Sequence, residues 1–354
     1  MKRNILHSIT LAAAFLMAAA CSNSGKNTEG QDQLTFAKGA DIGWATEMAS
    51  EGIRFYNSAG EERECTALMK ELGFDAVRFR VWVNPSDGWC GKEDVVAKAK
   101  TAKNLDMRIM INFHYSDWWA DPGKQNKPEA WKDYSTEELC GAIADHTRDV
   151  LSALKDEGIT PEWVQVGNET SDGMLWDTGK ASISMANYAA MTAAGYNAVK
   201  EIFPDAKVIV HLDHGDRPEL YNWIFDGLKA NGAEWDMIGM SIYPEYYAHD
   251  VEEDYQEGEY KKVTEATLDN ALALWKKYGT QVMIVEAGMT WSKEDESYAF
   301  LSELIAKARA LGDGQACAGV FYWEPESNPA WGGYSKGAFD ENFRPTKALD
   351  AFKN

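Results

Sequence analysis

The chain has 354 residues, 45% of them hydrophobic, with 56 acidic and 35 basic side chains for a formal net charge of −21. A surface that acidic repels phosphate backbones and polyuronates, which argues against nucleic acid and for a neutral ligand. The length suits two ordinary cores or one large α/β barrel, and 14 Trp residues suit a carbohydrate cleft as well as a Trp-rich core.

Lys2 and Arg3 open a targeting segment whose apolar run, Ile9 to Ala20, ends in small residues. That run is too short and wrongly flanked for a spanning helix. Leu16-Met17-Ala18-Ala19-Ala20-Cys21 resembles a bacterial lipoprotein signal, although Leu16 lies farther from the Cys than the usual pattern has it. Residues 1–20 are therefore expected to be removed, with Cys21 lipidated as the first mature residue and 21–34 a flexible polar tether. The membrane would be met only through that anchor, on the periplasm-facing or the outer side of the cell envelope. The alternative is an ordinary cleaved secretory signal. Cys65, Cys90, Cys140 and Cys317 remain; an exported chain permits disulfides, their pairing is not legible, and no Cys/His spacing suggests a metal.

From residue 35 the chain alternates apolar, β-branched runs with amphipathic ones. The predicted strands are Phe36–Ile42, Ala76–Val83, Arg108–Phe113, Trp163–Val166, Lys207–His211, Met237–Ile242, Gln281–Val285 and Ala318–Trp323. The predicted helices are Glu61–Leu72, Glu93–Asn104, Thr136–Glu157, Ser184–Ile202, Pro218–Lys229, Val263–Tyr278 and Glu296–Ala310, with a short last one at Thr346–Phe352. Eight β-then-α units imply a single (β/α)₈ TIM barrel over 35–354; a doubly wound sheet is disfavoured because no Gly-rich loop follows the first strand. Such a barrel covers its own core, so a monomer is expected.

In this architecture functional groups sit at the C-terminal ends of strands. Polar and aromatic side chains do so in all eight: Asp41; Arg78, Arg80 and Trp82; His114; Asn168 and Glu169; His211 and Asp213; Tyr243; Glu286; Trp323 and Glu324. The third strand opens into a loop holding His114, Tyr115, Asp117, Trp118, Trp119 and Asp121, where indoles suit pyranose faces and carboxylates suit hydroxyls. Glu169 and Glu286 each end an apolar run, in WVQVGNE and VMIVEAG, and form the best-placed pair for glycoside hydrolysis. Asn168 is placed to bond the hydroxyl beside the reacting carbon. Arg78 and Tyr243 are expected to keep Glu286 ionised, leaving Glu169 the raised pKa. His114 and His211 serve either substrate or internal polar groups.

The segments FAKGADI, VRFRVWVNP, FHYSDWWADPGKQ with its trailing PEAW, VQVGNET with GMLW, and YWEP resemble glycoside hydrolase family 53, the arabinogalactan endo-β-1,4-galactanases of clan A. The resemblance runs from Phe36 to the C-terminus. It implies retaining, double-displacement cleavage of β-1,4-galactan, the neutral side chains of pectin, with Glu169 as acid/base and Glu286 as nucleophile. It also implies carboxyl groups about 5–5.5 Å apart and walls or subsites made by Trp82, Trp118, Trp119 and Trp323. The chain departs from the family pattern after Glu286, where it reads AGMTW, and in the last loop, SNPAWGGYSKGAFD, which bears on distal subsites. No cofactor is implied. Some relatives bind calcium through late loops, but Asp295, Glu296 and Asp313 do not by themselves supply the six to eight oxygens that ion needs. Rival readings are a clan relative acting on xylan, mannan or β-glucan, and a noncatalytic glycan-binding lipoprotein.

Overall fold

A residue-by-residue alternation organises the strands: on one face large aliphatic side chains meet helices, and on the other small, polar or single bulky ones meet across a barrel. The computed structural model describes residues 35–249 and 255–353; the expected leader, Cys21 and the tether lie outside the described residues. The barrel strands are β1 (Ala37–Asp41), β2 (Ala76–Val81), β3 (Arg108–Phe113), β4 (Trp163–Val166), β5 (Lys207–Leu212), β6 (Met237–Ile242), β7 (Gln281–Ala287) and β8 (Cys317–Trp323). All eight are parallel, each pairs with the next, and β8 closes on β1. Each matches its sequence expectation to within two residues.

Outward residues such as Val77, Phe79, Val81, Ile109, Ile111 and Phe113 join the helix-facing core. Inside, Ala37, Ala76, Met110, Trp163, Ile209, Met237, Met283, Val285, Ala318 and Phe321 form a separate cluster. Trp163 and Phe321 meet edge to face at 6.0 Å and fill the barrel's lower half. Gly39 makes this arrangement feasible, because a Cβ there would lie 2.0 Å from the Phe321 ring. The lower barrel is therefore solid, and the functional space is confined to the strands' C-terminal ends.

The helices follow the expected order with three differences. Glu62–Arg63 pairs antiparallel with Phe55–Tyr56 instead of starting a helix, which begins at Cys65 with the Glu64 carboxylate accepting from the Ala67 N–H. Two short helices, Ala45–Ser50 and Pro244–His249, lie in strand-to-helix loops where one and a half turns leave no readable period. Ser135 and Glu138 form a capping box that starts the 21-residue helix Thr136–Asp156. Among the described residues the four cysteines Cys65, Cys90, Cys140 and Cys317 are all free thiols.

Candidate active site

The strand ends converge on one cleft of about 480 Å³ that Glu169 and Glu286 both line. Glu286 reaches it through a bulge: Met240 of β6 faces Ile284, but the next residue, Ser241, faces Glu286. Val285 already points into the barrel, so strict alternation would turn Glu286 outward; the irregularity sets both on the inner side. Glu169 reaches the cleft through a turn. Gly167 (φ 87°) and Glu169 itself (φ 45°) are left-handed, a conformation costing a non-glycine residue about 1–2 kcal/mol.

The two carboxyl groups meet different neighbours. Glu286 is buried, with Oε1 2.9 Å from Arg78 Nη1 and Oε2 accepting from the Tyr243 hydroxyl at 2.8 Å. Glu169 Oε1 accepts from the Ser241 hydroxyl at 2.7 Å. Burial raises the pKa of both. The charges of Glu286 and Asp213 push Glu169 further up, whereas Arg78 and Tyr243 hold Glu286 back. One guanidinium serves one of the two, so the negative charge rests on Glu286 and the proton on Glu169.

Arg78 is fully buried and organises the floor of the site. Its Nη1 also bonds Asp41 Oδ2 at 2.7 Å, and its Nη2 donates to Asn168 Oδ1 at 2.9 Å. Asn112 Nδ2 donates to the same oxygen at 2.9 Å, which fixes the Asn168 amide with its nitrogen toward the Ala120 carbonyl (2.9 Å) and the cleft. His114 Nδ1 accepts the Ala120 N–H at 3.1 Å, so its proton is on Nε2; burial, with the charges of Arg78 and Arg80, holds the ring neutral. It thus offers the cleft a neutral N–H donor.

An aromatic wall completes the cleft. Trp44, Trp119, Trp323 and Tyr334 pack with ring centroids 4.7–5.9 Å apart. The Arg80 guanidinium lies beneath, 4.3 Å from the Trp119 ring, and is paired with Glu324.

Of the expected site residues, Glu169, Glu286, Asn168, His114, Trp119, Asp121, Tyr243 and Trp323 line the cleft. Five others do not. Arg78 and His211 are wholly buried beneath it and act on the lining residues. Trp82 is 2% exposed and packs at a tilt under Trp118 (centroids 4.4 Å apart), which is 50% exposed beside the cleft, so Trp82 is a support and not a wall. Asp117 braces the loop: its oxygens accept the N–H groups of Asn84 (3.0 Å) and Glu129 (2.9 Å). Residues that the sequence did not single out, Ser241, His214, Tyr246, Trp44 and Tyr334, also contribute. Ser241 had a signal, an inward position in β6; the others sit on loops without periodicity.

Asp295 pairs with Lys347 at 2.5 Å, Glu296 accepts from the Tyr255 hydroxyl and the Gly258 N–H at 2.7 Å each, and no group of three or more His, Cys, Asp or Glu converges as a metal site among the described residues.

A closed parallel (β/α)₈ barrel with two glutamates facing one cleft from the ends of β4 and β7 is the architecture of the clan A glycoside hydrolases. Within that class the chain belongs to glycosyl hydrolase family 53, whose model matches residues 37–300. It is 31% identical to the arabinogalactan endo-beta-1,4-galactanase of Cellvibrio japonicus, over 97% of this chain and 95% of that one. Among solved structures it superposes on one of two fungal beta-1,4-galactanases (TM-score 0.80, 26% identity, 89% of this chain and 98% of that one). It also superposes on the Ignisphaera aggregans GH53 catalytic domain (TM-score 0.79, 27% identity, 90% and 96%). The protein is a glycosidase.

Proposed function

We propose that this glycosidase is a retaining endo-β-1,4-galactanase acting on the neutral galactan side chains of pectin, with Glu169 as acid/base and Glu286 as nucleophile. The observation carrying the reading is the asymmetry of the pair: Glu286 held by Arg78 and Tyr243, Glu169 half-buried beside the like charges of Glu286 and Asp213. In the first step a Glu286 oxygen attacks the anomeric carbon while the Glu169 proton passes to the departing glycosidic oxygen, leaving a galactosyl ester. In the second, the Glu169 carboxylate takes a proton from water, the water oxygen displaces the ester, and both groups return to their starting states. Asn168 and His114 orient the sugar in the cleft, and Trp119 and Trp323 stack on its faces. The galactanase names of the relatives support the choice of polymer.

The test is incubation of residues 22–354 with linear β-1,4-galactan, xylan, mannan and β-glucan, following product lengths and the anomer first formed by NMR. Short β-anomeric galacto-oligosaccharides from galactan alone are expected. Activity on another polymer overturns the substrate, and an α-anomer overturns the mechanism. Glu169→Ala should retain cleavage of an aryl β-galactobioside with a good leaving group and give the β-galactosyl azide when azide is added, whereas Glu286→Ala should give only the α-azide.

We further propose that the protein works as a monomer tethered through lipidated Cys21 to the cell envelope, supported by the leader ending at Ala20-Cys21 and the polar stretch after it. An unacylated mature N-terminal peptide by mass spectrometry would sink the anchor.

A further inference from the structure

Arg78 touches more than Glu286. Its Nε donates to Gln165 Oε1 at 2.9 Å, and because a guanidinium only donates, the Gln165 amide is fixed with its nitrogen toward His211 Nδ1, 2.7 Å away. That ring nitrogen also receives the Glu169 N–H at 3.3 Å, so it carries no proton. His211 is fully buried, and burial with the nearby Arg78 and His114 keeps it neutral. Its one proton is therefore on Nε2, which donates to Ser241 Oγ at 2.8 Å, and the hydroxyl proton is passed on to Glu169 Oε1 at 2.7 Å. Each link's direction is forced by the one before it.

We propose that Gln165, His211 and Ser241 are positioning residues forming a one-way hydrogen-bond chain, through which Arg78 orients Glu169 and couples its protonation to the state of Glu286. The inference rests on the roles proposed above for the two glutamates. While Glu286 is a carboxylate it offsets the guanidinium charge, the donors along the chain are weak, and Glu169 keeps its proton. Once Glu286 is a galactosyl ester, Arg78 loses that partner and its Nε becomes a stronger donor. Each polarised link strengthens the next, and the Ser241 hydroxyl then favours the Glu169 carboxylate that the second step requires. The other groups facing Glu169 are Glu286 on β7, Asp213 after β5, Asp121 in the β3 loop, and Tyr243 and Tyr246 after β6. All remain in the variants below.

The experiment compares Ser241→Ala, Ser241→Thr, His211→Phe and the double variant Ser241→Ala/His211→Phe. It measures the pH profile of kcat/KM on galactan and the turnover of an activated aryl β-galactobioside whose second step limits the rate. Removing a donor from a carboxylate raises its pKa, so the alkaline limb of Ser241→Ala is expected to move up by about one pH unit. Its second step should slow about tenfold at neutral pH, with both effects reversed in Ser241→Thr. The double variant should shift no further than the larger single one, since both act through one path. An unmoved alkaline limb in Ser241→Ala that melts like the parent overturns the chain, as do shifts that add. If Ser241→Ala melts early, His211→Phe carries the same comparison. Undiminished turnover in Glu286→Gln would instead strike the roles of the two glutamates, an outcome separate from either limb.

Discussion

Arg78 Nη1 lies 2.9 Å from Glu286 Oε1 and 2.7 Å from Asp41 Oδ2, so one nitrogen bridges the nucleophile proposed for this enzyme to a carboxyl group below it. The other two nitrogens hold Gln165 and Asn168. Lysine has charge but no fork and cannot reach four partners at once. Arg78→Lys is expected to lower kcat/KM on galactan by about 10²–10³-fold, the cost of leaving a buried carboxylate and an amide misdirected. Steady-state kinetics on folded protein checks this; a variant within tenfold of the parent would show that charge alone suffices.

Tyr243 is the second group holding Glu286 ionised, donating to Oε2 at 2.8 Å. Loss of a donor to a carboxylate raises its pKa. In Tyr243→Phe the acidic limb of the kcat/KM profile, which reports Glu286 deprotonation, should move to higher pH by about one unit, while the alkaline limb stays near its parent value. Movement of the alkaline limb alone would contradict the assignment of charge to Glu286.

Trp118 stands half exposed against Trp82 and Trp119, outside the set of residues that line the cleft with the two carboxyl groups. A sugar ring stacked there gains binding in ground state and transition state alike, so Trp118→Ala should raise KM about 5–20-fold with kcat nearly unchanged. The expected loss is larger on long galacto-oligosaccharides than on short ones. An equal loss on both would place Trp118 outside the substrate path.

The barrel was legible because its signals are local and repeated: β-branched runs bound each strand, and a polar residue ends each of them. Glu169 and Glu286 were legible for the same reason, as charges that close apolar runs. What could not be read depends on register. The bulge between Ile284 and Glu286 fixes where Glu286 points, yet the residues around it, Val285-Glu286-Ala287, carry no mark of it. Gln165 and Ser241 occupy inward positions of β4 and β6, but their meeting with His211 on β5 requires three strands in known alignment. His211 and Trp82 illustrate the converse: residue type suggested contact with substrate, whereas depth beneath other side chains is a property of the assembled barrel.

Below the cleft the same assembly creates a titrating cluster that sets stability against pH. Asp41, Glu324 and Glu326 are all buried near Arg78 and Arg80, and Arg78 also serves Glu286; two guanidinium groups face four carboxyl groups. Burial raises all three, Asp41 to about 8, Glu326 to about 7, and Glu324 well above its ordinary value, and the negative charges of the cluster push Asp41 and Glu324 further the same way. The folded protein thus keeps protons that the unfolded chain releases near pH 4. By linkage, stability is greatest on the acidic side of neutrality and falls as pH rises toward the folded values, because the folded state holds protons that the unfolded chain has released. The melting temperature is expected to decline steadily between pH 5 and about pH 8, where Asp41 gives up its proton. Glu326→Gln, which cannot release a proton, should flatten that decline while leaving the acidic plateau in place. A melting temperature that rises over this range, or an unchanged slope in Glu326→Gln, would mean that the cluster is charged in the folded state and compensated by its guanidinium neighbours.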